Sequence, residues 1–429
     1  MLLIVLGYAM VATFMVAIMT NRLSAFVALV IVPIVFGLMA GHGSDLGAMA
    51  VAGVTKLAPT ALLLLCAVLY FGVMIDAGLF DPLVRKVIAA VGGDPMRVVI
   101  GTAIVALLVS LDGDGATTVL VTVTAFLPLY RRLGMNPLII AVMLGSANSV
   151  MNLVPWGGPT GRVASALGVD ISAVFVPLLP TMAIGALATL GFAWYLGRGE
   201  RNRLGITEGI AELPASDLFG REAGVSRPRL FWVNVALTAA VFAGAIARPL
   251  PLPLTFMIGL AIALLVNYPR LRDQRARLAA HAPNVLPIVL LIFGAGVFTG
   301  ILNGTGMIDA MAKGAVAAMP PALGPWLAPM TALLSAPLTF VLSNDAYYFG
   351  VIPVIAHTAS AYGVDPVLIA RASLLGQPVH VLSPLVAALY LVAGLLETDV
   401  GALQRFGLKW ASLLVLVLVV SAALTGAIL

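Results

Sequence analysis

Apolar runs long enough to cross a lipid bilayer recur from one end of this 429-residue chain to the other. A transmembrane helix needs about 17–25 mostly apolar residues, and such runs are typical of a helical bundle rather than of the weaker alternation of a β-barrel. Charged residues make up only 10% of the chain, whereas a soluble protein carries about 25%. The sequence therefore predicts an all-α integral membrane protein.

The predicted spans fall into two sets that have the same order of parts. They lie at residues 2–19, 24–39, 59–75 and 171–196, and again at 230–246, 252–266, 285–301 and 407–428. Between the last two spans of each set we predict a helical hairpin, at about 96–131 and 326–361, followed by a broken helix. Glycine, proline and polar residues interrupt the apolar pattern at these places.

Short segments of the two sets also match in the same order. Residues 72–81 match 300–309, residues 134–137 match 363–366, and Asp114 corresponds to Asp345. A duplication explains this order. If the hairpins are re-entrant, each half has five spans, and an odd number turns the second half over. We therefore predict an inverted repeat of two five-span halves, each with a re-entrant hairpin and a broken helix, at 1–196 and 230–429.

The distribution of positive charge predicts the orientation. Eighteen of the 23 lysines and arginines fall in segments that are cytoplasmic if both termini lie outside, as the positive-inside rule requires. The long arginine-rich segment 197–229 would then be a cytoplasmic linker. The net charge of +5 follows from these basic loops and indicates no nucleic-acid partner. Seven spans per half, with spanning hairpins, would satisfy the rule equally well, so charge leaves that choice open.

Paired broken helices in inverted halves are typical of secondary transporters with a site near the bilayer midplane. Of the 18 acidic residues, only Asp112, Asp114 and Asp345 lie between long apolar runs and away from helix-end loops. Intramembrane carboxylates face a partner or a polar cavity. Together with nearby amide, hydroxyl and carbonyl oxygens, they form a ligand set suited to Mg²⁺ or Ca²⁺.

Two other ionisable residues lie at the breaks and allow two interpretations each. His380 could carry a proton or contact a substrate, or it could be a hydrogen-bonded core residue. Arg162 could hold a carboxylate group, or it could be an ordinary interface arginine.

Five segments make the chain resemble a known family. It is similar, over almost its full length, to the bacterial citrate–metal–proton symporter family, which belongs to a wider ion-transporter superfamily. The segments that carry the resemblance are LDGDGATT at 111–118, MNLVPWGGPT at 151–160, ASALGVD at 164–170, LSNDAYYFG at 342–350 and LGQPVHVLSPL at 375–385.

The resemblance implies uptake of citrate as a complex with a divalent cation, driven by protons, through elevator-like alternating access. It also implies a homodimer in the bacterial inner membrane. The divalent cation would travel as cargo, so no cofactor would be bound permanently, and the protein would not be an enzyme. Citrate bound to a divalent cation carries one negative charge, which suits a site that is richer in oxygen ligands than in lysine or arginine.

Combined with the resemblance, the polar breaks predict individual roles. Asp112, Asp114 and Asp345 would contact the metal or carry the coupling proton, with His380 as a further proton carrier. Because Asp114 corresponds to Asp345, we expect Asp114 to matter more than Asp112. The residues expected to contact the substrate are Thr117, Thr118, Asn148, Asn152, Gly157, Gly158, Thr160, Arg162, Ser343, Asn344, Gln377, His380 and Ser383.

Other functions remain open at this point. A sodium-coupled dicarboxylate carrier or a proton antiporter could use the same scaffold. A membrane-embedded hydrolase could use Asp112 and Asp345 as a catalytic pair, although the duplicated breaks have no evident use in hydrolysis. A channel would differ by passing far larger currents.

Overall fold

The computed structural model describes residues 2–113, 115–206, 224–247 and 249–429. Asp114 and most of the predicted linker lie outside the described residues. The first half contains α1 (Leu2–Met19), α2 (Ala25–Met39), α3 (Leu46–Ala77), α4 (Asp81–Val91), α5 (Pro95–Val109), α6 (Gly115–Leu133), α7 (Leu138–Met151), α8 (Gly158–Leu167), α9 (Ile171–Phe175) and α10 (Leu179–Leu204). The second half contains α11 (Phe231–Ala247), α12 (Leu252–Asn267), α13 (Leu271–Gly304), α14 (Met307–Ala318), α15 (Leu327–Val341), α16 (Ile352–Ala361), α17 (Pro366–Leu374), α18 (Gln377–His380), α19 (Ala387–Leu396) and α20 (Val400–Leu424).

Seven helical segments of the described chain are long and apolar enough to cross a membrane. These segments contain α1, α3, α5, α9 with α10, α11, α13 and α20. Shorter apolar helices, α2, α7, α12 and α19, lie between them. The chain is therefore an all-helical, multi-pass membrane protein, as the apolar runs predict.

The two longest helices extend well beyond their predicted apolar segments. Helix α3 has 32 residues and α13 has 34, whereas hydropathy predicts spans only at 59–75 and 285–301. A helix of this length measures about 50 Å, longer than the roughly 30 Å hydrocarbon core. The extra turns of α13 are polar and begin with Arg272 and Asp273, so an apolar pattern cannot reveal them. The extra turns of α3 are rich in alanine and glycine, and Lys56 separates them from the predicted span.

Glycines bring α3 and α13 into close contact. A side-chain carbon on Gly53 would overlap the backbone oxygen of Gly296, and one on Gly300 would overlap the backbone oxygen of Met49. Small residues at such crossings let helix backbones approach within a membrane, where packing takes over from the hydrophobic effect. These two long helices form a tightly packed central pair.

Buried charges join the same two helices near the other end of α3. Asp76 accepts hydrogen bonds from Arg277 at 3.2 Å and pairs with His281 Nε2 at 2.7 Å. A side-chain carbon on Gly72 would lie 2.6 Å from the His281 ring, so a larger residue at position 72 would displace the ring.

Two short amphipathic helices, α4 and α14, are absent from the predicted spans. Each follows a long helix through a glycine in the left-handed region, Gly78 after α3 and Gly306 after α13. In α14, only one face is buried, at Met307, Ile308, Met311 and Ala312. The matched segments 72–81 and 300–309 therefore fold into the same local structure, a helix end, a glycine turn and a new helix start.

Each half continues with a helical hairpin and an interrupted helix. Helices α5 and α6 are joined through a 3₁₀ turn at Ser110–Asp112, and α15 leads through residues 342–345 into a π-helical turn at Ala346–Val351 and then α16. The chain breaks between α7 and α8, and between α18 and α19. All four interruptions fall where glycine, proline and polar residues predict them.

Candidate functional site

The tip of the first hairpin is tied to the first break by an indole hydrogen bond. Trp156 Nε1 donates to the backbone oxygen of Leu111 at 2.8 Å. The same ring packs against Phe71 and Phe256, with centroid distances of 5.2 and 4.8 Å. The break is therefore held between the hairpin tip and an aromatic cluster.

Asp112 lies at this tip and is buried, with 4% of its surface exposed. Gly113 follows it with a φ of 79°, which turns the chain toward α6. Below the turn, Ser110 donates to the hydroxyl oxygen of the buried Thr118 at 3.2 Å, and Thr117 is half-buried. Asp114, predicted as a metal ligand and proton carrier, lies outside the described residues.

The first break is closed by its own hydrogen bonds. The Thr160 hydroxyl donates to the backbone oxygen of Asn152 at 3.1 Å. A side-chain carbon on Gly157 would overlap that same oxygen, so glycine is required for the tight turn. Gly158 then begins α8 and is half-buried.

Asn148 lies on α7 directly below the first hairpin. Its amide nitrogen would be 3.3 Å from a side-chain carbon on Gly115, and its Oδ1 is buried without a hydrogen-bond partner among the described residues. Asn148 and Thr118 share a cavity of about 60 Å³ with Val381 and Leu382 of the second break. This space joins parts of both halves.

The tip of the second hairpin is polar and half-buried at Ser343, Asn344 and Asp345. Ser343 Oγ accepts from the backbone N–H of Ala346 at 3.2 Å, which fixes the start of the π-helical turn. Such turns occur frequently at functional sites in helices.

Gln377, at the second break, holds this tip. Its amide nitrogen donates to Asn344 Oδ1 at 3.3 Å and to the Tyr348 hydroxyl at 2.9 Å. Tyr348 in turn donates to the backbone oxygen of Ser373 at 3.4 Å. Gln377 is fully buried, and its Oε1 has no hydrogen-bond partner among the described residues.

His380 and Ser383 fasten the second break to the first arm of the second hairpin. The His380 ring nitrogen Nδ1 lies 2.7 Å from the backbone oxygen of Thr339 and must carry the proton, because a carbonyl only accepts. Ser383 donates to the backbone oxygen of Phe340 at 2.6 Å. These contacts give both residues a structural role in the break.

The ion pair between Arg162 and Asp345 crosses from the first half to the second. Arg162 Nε donates to Asp345 Oδ1 at 2.6 Å, and each side chain is 19% exposed. The guanidinium lies over the start of α8, since a side-chain carbon on Gly158 would be 2.9 Å from its Nη1. Arg162 therefore binds a carboxylate of the protein itself, and its predicted contact with the substrate stays a prediction.

The structure thus brings predicted residues of both halves together. Arg162, which lies against Gly158 of the first break, meets Asp345 at the second hairpin tip, and Gln377 holds the neighbouring Asn344. Within the described ranges, no group of three histidine, cysteine, aspartate or glutamate side chains could hold a metal ion.

A larger cavity, of about 730 Å³, is lined in part by α8, the helix that carries Arg162, and was not predicted. It lies between α3 and α13 on one side and α8 and α16 on the other, and its polar lining includes Lys56, Ser165, Asn303, His357 and Ser360. Ser165 is one helical turn from Arg162 along α8. Sequence reasoning missed it because the lining comes from helices that are far apart in the chain, and because Lys56 and Asn303 lie outside the predicted spans 59–75 and 285–301.

Comparison with known sequences reveals close relatives. A family model described as "Citrate transporter" matches residues 14–376. The chain is 52% identical to a "Citrate transporter" of Bacillus subtilis (strain 168) over 429 residues, covering 100% of both chains. It is 48% identical to the "Mg(2+)/citrate complex secondary transporter" of the same organism over 432 residues, covering 100% of this chain and 99% of the relative.

A solved structure shares the fold. The chain aligns with the crystal structure of the Alcanivorax borkumensis YdaH transporter with a TM-score of 0.57, over 90% of this chain and 88% of that one. The sequence identity is 15%, so the similarity concerns the architecture alone.

Proposed function

The chain belongs to the citrate transporter family, and we propose that it takes up citrate as a complex with a divalent cation of the Mg²⁺ or Ca²⁺ class, coupled to protons. The family resemblance predicted from the five sequence segments is confirmed. The protein is a membrane transporter and not an enzyme, which excludes the hydrolase.

The choice of cargo is supported by the chemistry of the site. One relative, 48% identical, is named for a Mg²⁺/citrate complex. A cargo of that kind presents a cation and carboxylate oxygens on one molecule, and it carries a single negative charge. The site around Arg162 offers one cation, one carboxylate in Asp345 and the amides of Asn344 and Gln377. Such a mixed set suits the complex better than a bare trianion.

The observation that carries the proposal is the ion pair between Arg162 and Asp345. It joins the helix after the first break to the tip of the second hairpin and is 19% exposed on each side. Charged groups within a membrane protein are costly unless they are paired or face a polar pathway, and they mark substrate and ion routes.

The remaining predicted residues complete the proposed site. Asp112, Asp114 and Asp345 would contact the metal or carry the coupling proton, with His380 as a further proton carrier. The substrate oxygens would be bound by Thr117, Thr118, Asn148, Asn152, Gly157, Gly158, Thr160, Ser343, Asn344, Gln377, His380 and Ser383. The buried amide oxygens of Asn148 and Gln377 have no hydrogen-bond partner among the described residues, and as acceptors they would suit the metal ion or the hydroxyl group of the cargo.

The proposed mechanism is alternating access by two inverted halves, with re-entrant hairpins, in a homodimer. The matching order of elements in the two halves and the likeness to a transporter fold support it. We propose that both termini lie outside and that the arginine-rich linker is cytoplasmic, in a bacterial inner membrane.

Uptake of labelled citrate into proteoliposomes tests the function. We expect uptake that requires Mg²⁺ or Ca²⁺ and increases with an inward proton gradient. Uptake that is indifferent to divalent cations would contradict the metal-complex cargo, and uptake that requires sodium instead would indicate a sodium-coupled dicarboxylate carrier.

A further inference from the structure

The ion pair at the centre of the site and the proposed cargo each contain a positive and a negative group side by side. Arg162 and Asp345 neutralise each other at 2.6 Å while each side chain is 19% exposed. A metal–citrate complex likewise contains a cation next to carboxylate groups. The two can exchange partners, so that each charge of the ion pair still meets an opposite charge on the complex.

We infer that the cargo binds by this exchange, and that the exchange makes the divalent cation obligatory. The inference rests on the proposed function. A free carboxylate of the complex takes the place of Asp345 on Arg162, and the released Asp345 faces the metal ion of the complex. No charge is added to the site beyond the single negative charge of the complex.

Metal-free citrate fails this exchange. It could satisfy Arg162, but it would leave the Asp345 carboxylate without its partner beside a trianion. A poorly solvated charge that loses its partner is strongly destabilising, whereas two paired charges cost much less. A metal ion without citrate fails in the opposite sense, because it would satisfy Asp345 and leave the Arg162 guanidinium next to a second cation. The pair therefore acts as a specificity determinant that rejects either component alone.

The surroundings of the pair allow Asp345 to move by a small amount. The hairpin tip at 343–345 is half-buried, and its neighbour Asn344 is held by a 3.3 Å hydrogen bond from Gln377. The guanidinium, by contrast, rests against Gly158 at the start of α8. We therefore expect Asp345 to shift toward the metal while Arg162 stays in place.

Equilibrium binding to the purified full-length transporter in detergent tests the exchange. The probes are labelled citrate with excess Mg²⁺, labelled citrate with EDTA, and Mg²⁺ alone. The quantity of interest is the ratio of the Kd for metal-free citrate to the Kd for the Mg²⁺ complex. Asp345→Asn removes the charge, Asp345→Glu keeps it, and Asp309→Asn is the matched control because that carboxylate is 72% exposed on α14.

We expect Asp345→Asn to lower the ratio by about tenfold or more, because metal-free citrate no longer leaves an unpaired carboxylate. Asp345→Glu and Asp309→Asn should keep the wild-type ratio. An Asp345→Asn protein with the wild-type ratio would overturn the exchange but leave the metal–citrate function intact. A wild-type protein that binds both forms of citrate equally would overturn the proposed function itself.

A variant of the other partner, Arg162→Gln, gives an independent test of the exchange, and this test holds even if Asp345→Asn does not fold. Arg162→Gln leaves Asp345 without its cation. We expect this variant to lose citrate binding in both forms and to be thermally stabilised by Mg²⁺ alone at about tenfold lower concentration than wild type. An Arg162→Gln protein with no altered response to Mg²⁺ would contradict the exchange.

Discussion

The indole nitrogen of Trp156 lies 2.8 Å from the backbone oxygen of Leu111, so the first broken helix holds the tip of the first hairpin directly. The two residues belong to segments that the sequence singles out separately, the acidic turn and the proline–glycine break. Their contact makes these segments one structural unit, with Asp112 buried at its edge.

Trp156→Phe should weaken this unit. The variant loses one buried hydrogen bond and part of the ring that packs against Phe71 and Phe256, so we expect a loss of about 1–3 kcal/mol in the free energy of unfolding. The melting temperature in detergent measures it. Trp232→Phe is the control, because that side chain is 77% exposed and should change nothing measurable. Equal melting temperatures for the two variants would contradict the structural role of Trp156.

The close contact between α3 and α13 gives a second prediction. Gly53→Ala would push a methyl group into the backbone of Gly296, and we expect a loss of about 1–3 kcal/mol or no folded protein. Gly47→Ala lies on the same helix with no atom within 4 Å, so its stability should equal or exceed that of wild type. Folded yield after size-exclusion chromatography and the melting temperature distinguish these outcomes.

The fold could be predicted largely from its apolar runs, because the bilayer imposes one length on every span. The predicted bounds 2–19 are those of α1, and α15 begins one residue after its predicted start. The first turns of α3 and α13 and the amphipathic helices α4 and α14 were missed, because Lys56 interrupts the apolar pattern in α3 and charged residues interrupt it in the other three. Asp76 follows the predicted span 59–75, where a position at the membrane interface is expected, yet it is 7% exposed and paired with Arg277 and His281.

The site was harder to predict, because its contacts join distant parts of the chain. Polar breaks single out Arg162 and Asp345 individually, but 183 positions separate them. Without their three-dimensional arrangement, the sequence presents Asp345 as an unpaired acid suited to a metal. Arg162 could equally be a carboxylate-binding arginine or an interface arginine. Hydropathy cannot report that one neutralises the other.

Two neighbouring buried tyrosines at the second hairpin allow the effect of the hydrogen bond to Gln377 to be measured apart from the effect of burial. Tyr347 and Tyr348 are both fully buried, but only Tyr348 accepts from Gln377, whereas the Tyr347 hydroxyl has no partner among the described residues. We expect Tyr348→Phe to weaken binding of the Mg²⁺–citrate complex several-fold, because about 0.5–1.5 kcal/mol that orients Gln377 is lost. Tyr347→Phe should bind like wild type. The reverse order of affinities would exclude Gln377 from the site.

Asp94, at the start of α5, predicts that the stability of the folded protein depends on pH. Burial would raise the pKa of the Asp94 carboxyl, but the hydrogen bonds from Arg201 and the Met96 backbone, with the nearby charges of Arg201 and Arg97, hold this pKa below its ordinary value of 3.8. Because the pKa is lower in the folded protein, the carboxylate stabilises the fold at neutral pH. That contribution is lost as the pH falls through the lowered pKa.

Asp94→Asn keeps the helix cap and removes the charge. We expect it to be less stable than wild type by about 1 kcal/mol at neutral pH and to approach wild type in acid. Melting temperatures in detergent across this range measure the difference. Asp170→Asn is the matched control, because Asp170 caps α9 through backbone N–H groups. A stability difference for Asp94→Asn that does not change with pH would contradict the role of the charge.

The 730 Å³ cavity predicts a role for Lys56 in capturing the cargo. Lys56 is exposed, lines this cavity, and is its one lysine or arginine among the described lining residues. A lone positive charge in a cleft raises the local concentration of an anion, and the proposed cargo carries one negative charge. We expect Lys56→Gln to raise the KM for Mg²⁺–citrate uptake about 2- to 10-fold with little change in kcat, and to flatten the dependence of KM on ionic strength.

Two variants distinguish this role of Lys56 from a merely structural one. The Lys56 amine also lies against Gly168 at the end of α8, where a cation is favoured by the helix dipole. Lys56→Arg keeps the charge and should keep the wild-type KM. Lys313→Gln removes an exposed charge on α14 that does not line the cavity, and it should leave KM unchanged. If Lys56→Gln lowered the melting temperature and kcat while KM stayed at its wild-type value, Lys56 would stabilise α8 rather than attract the cargo.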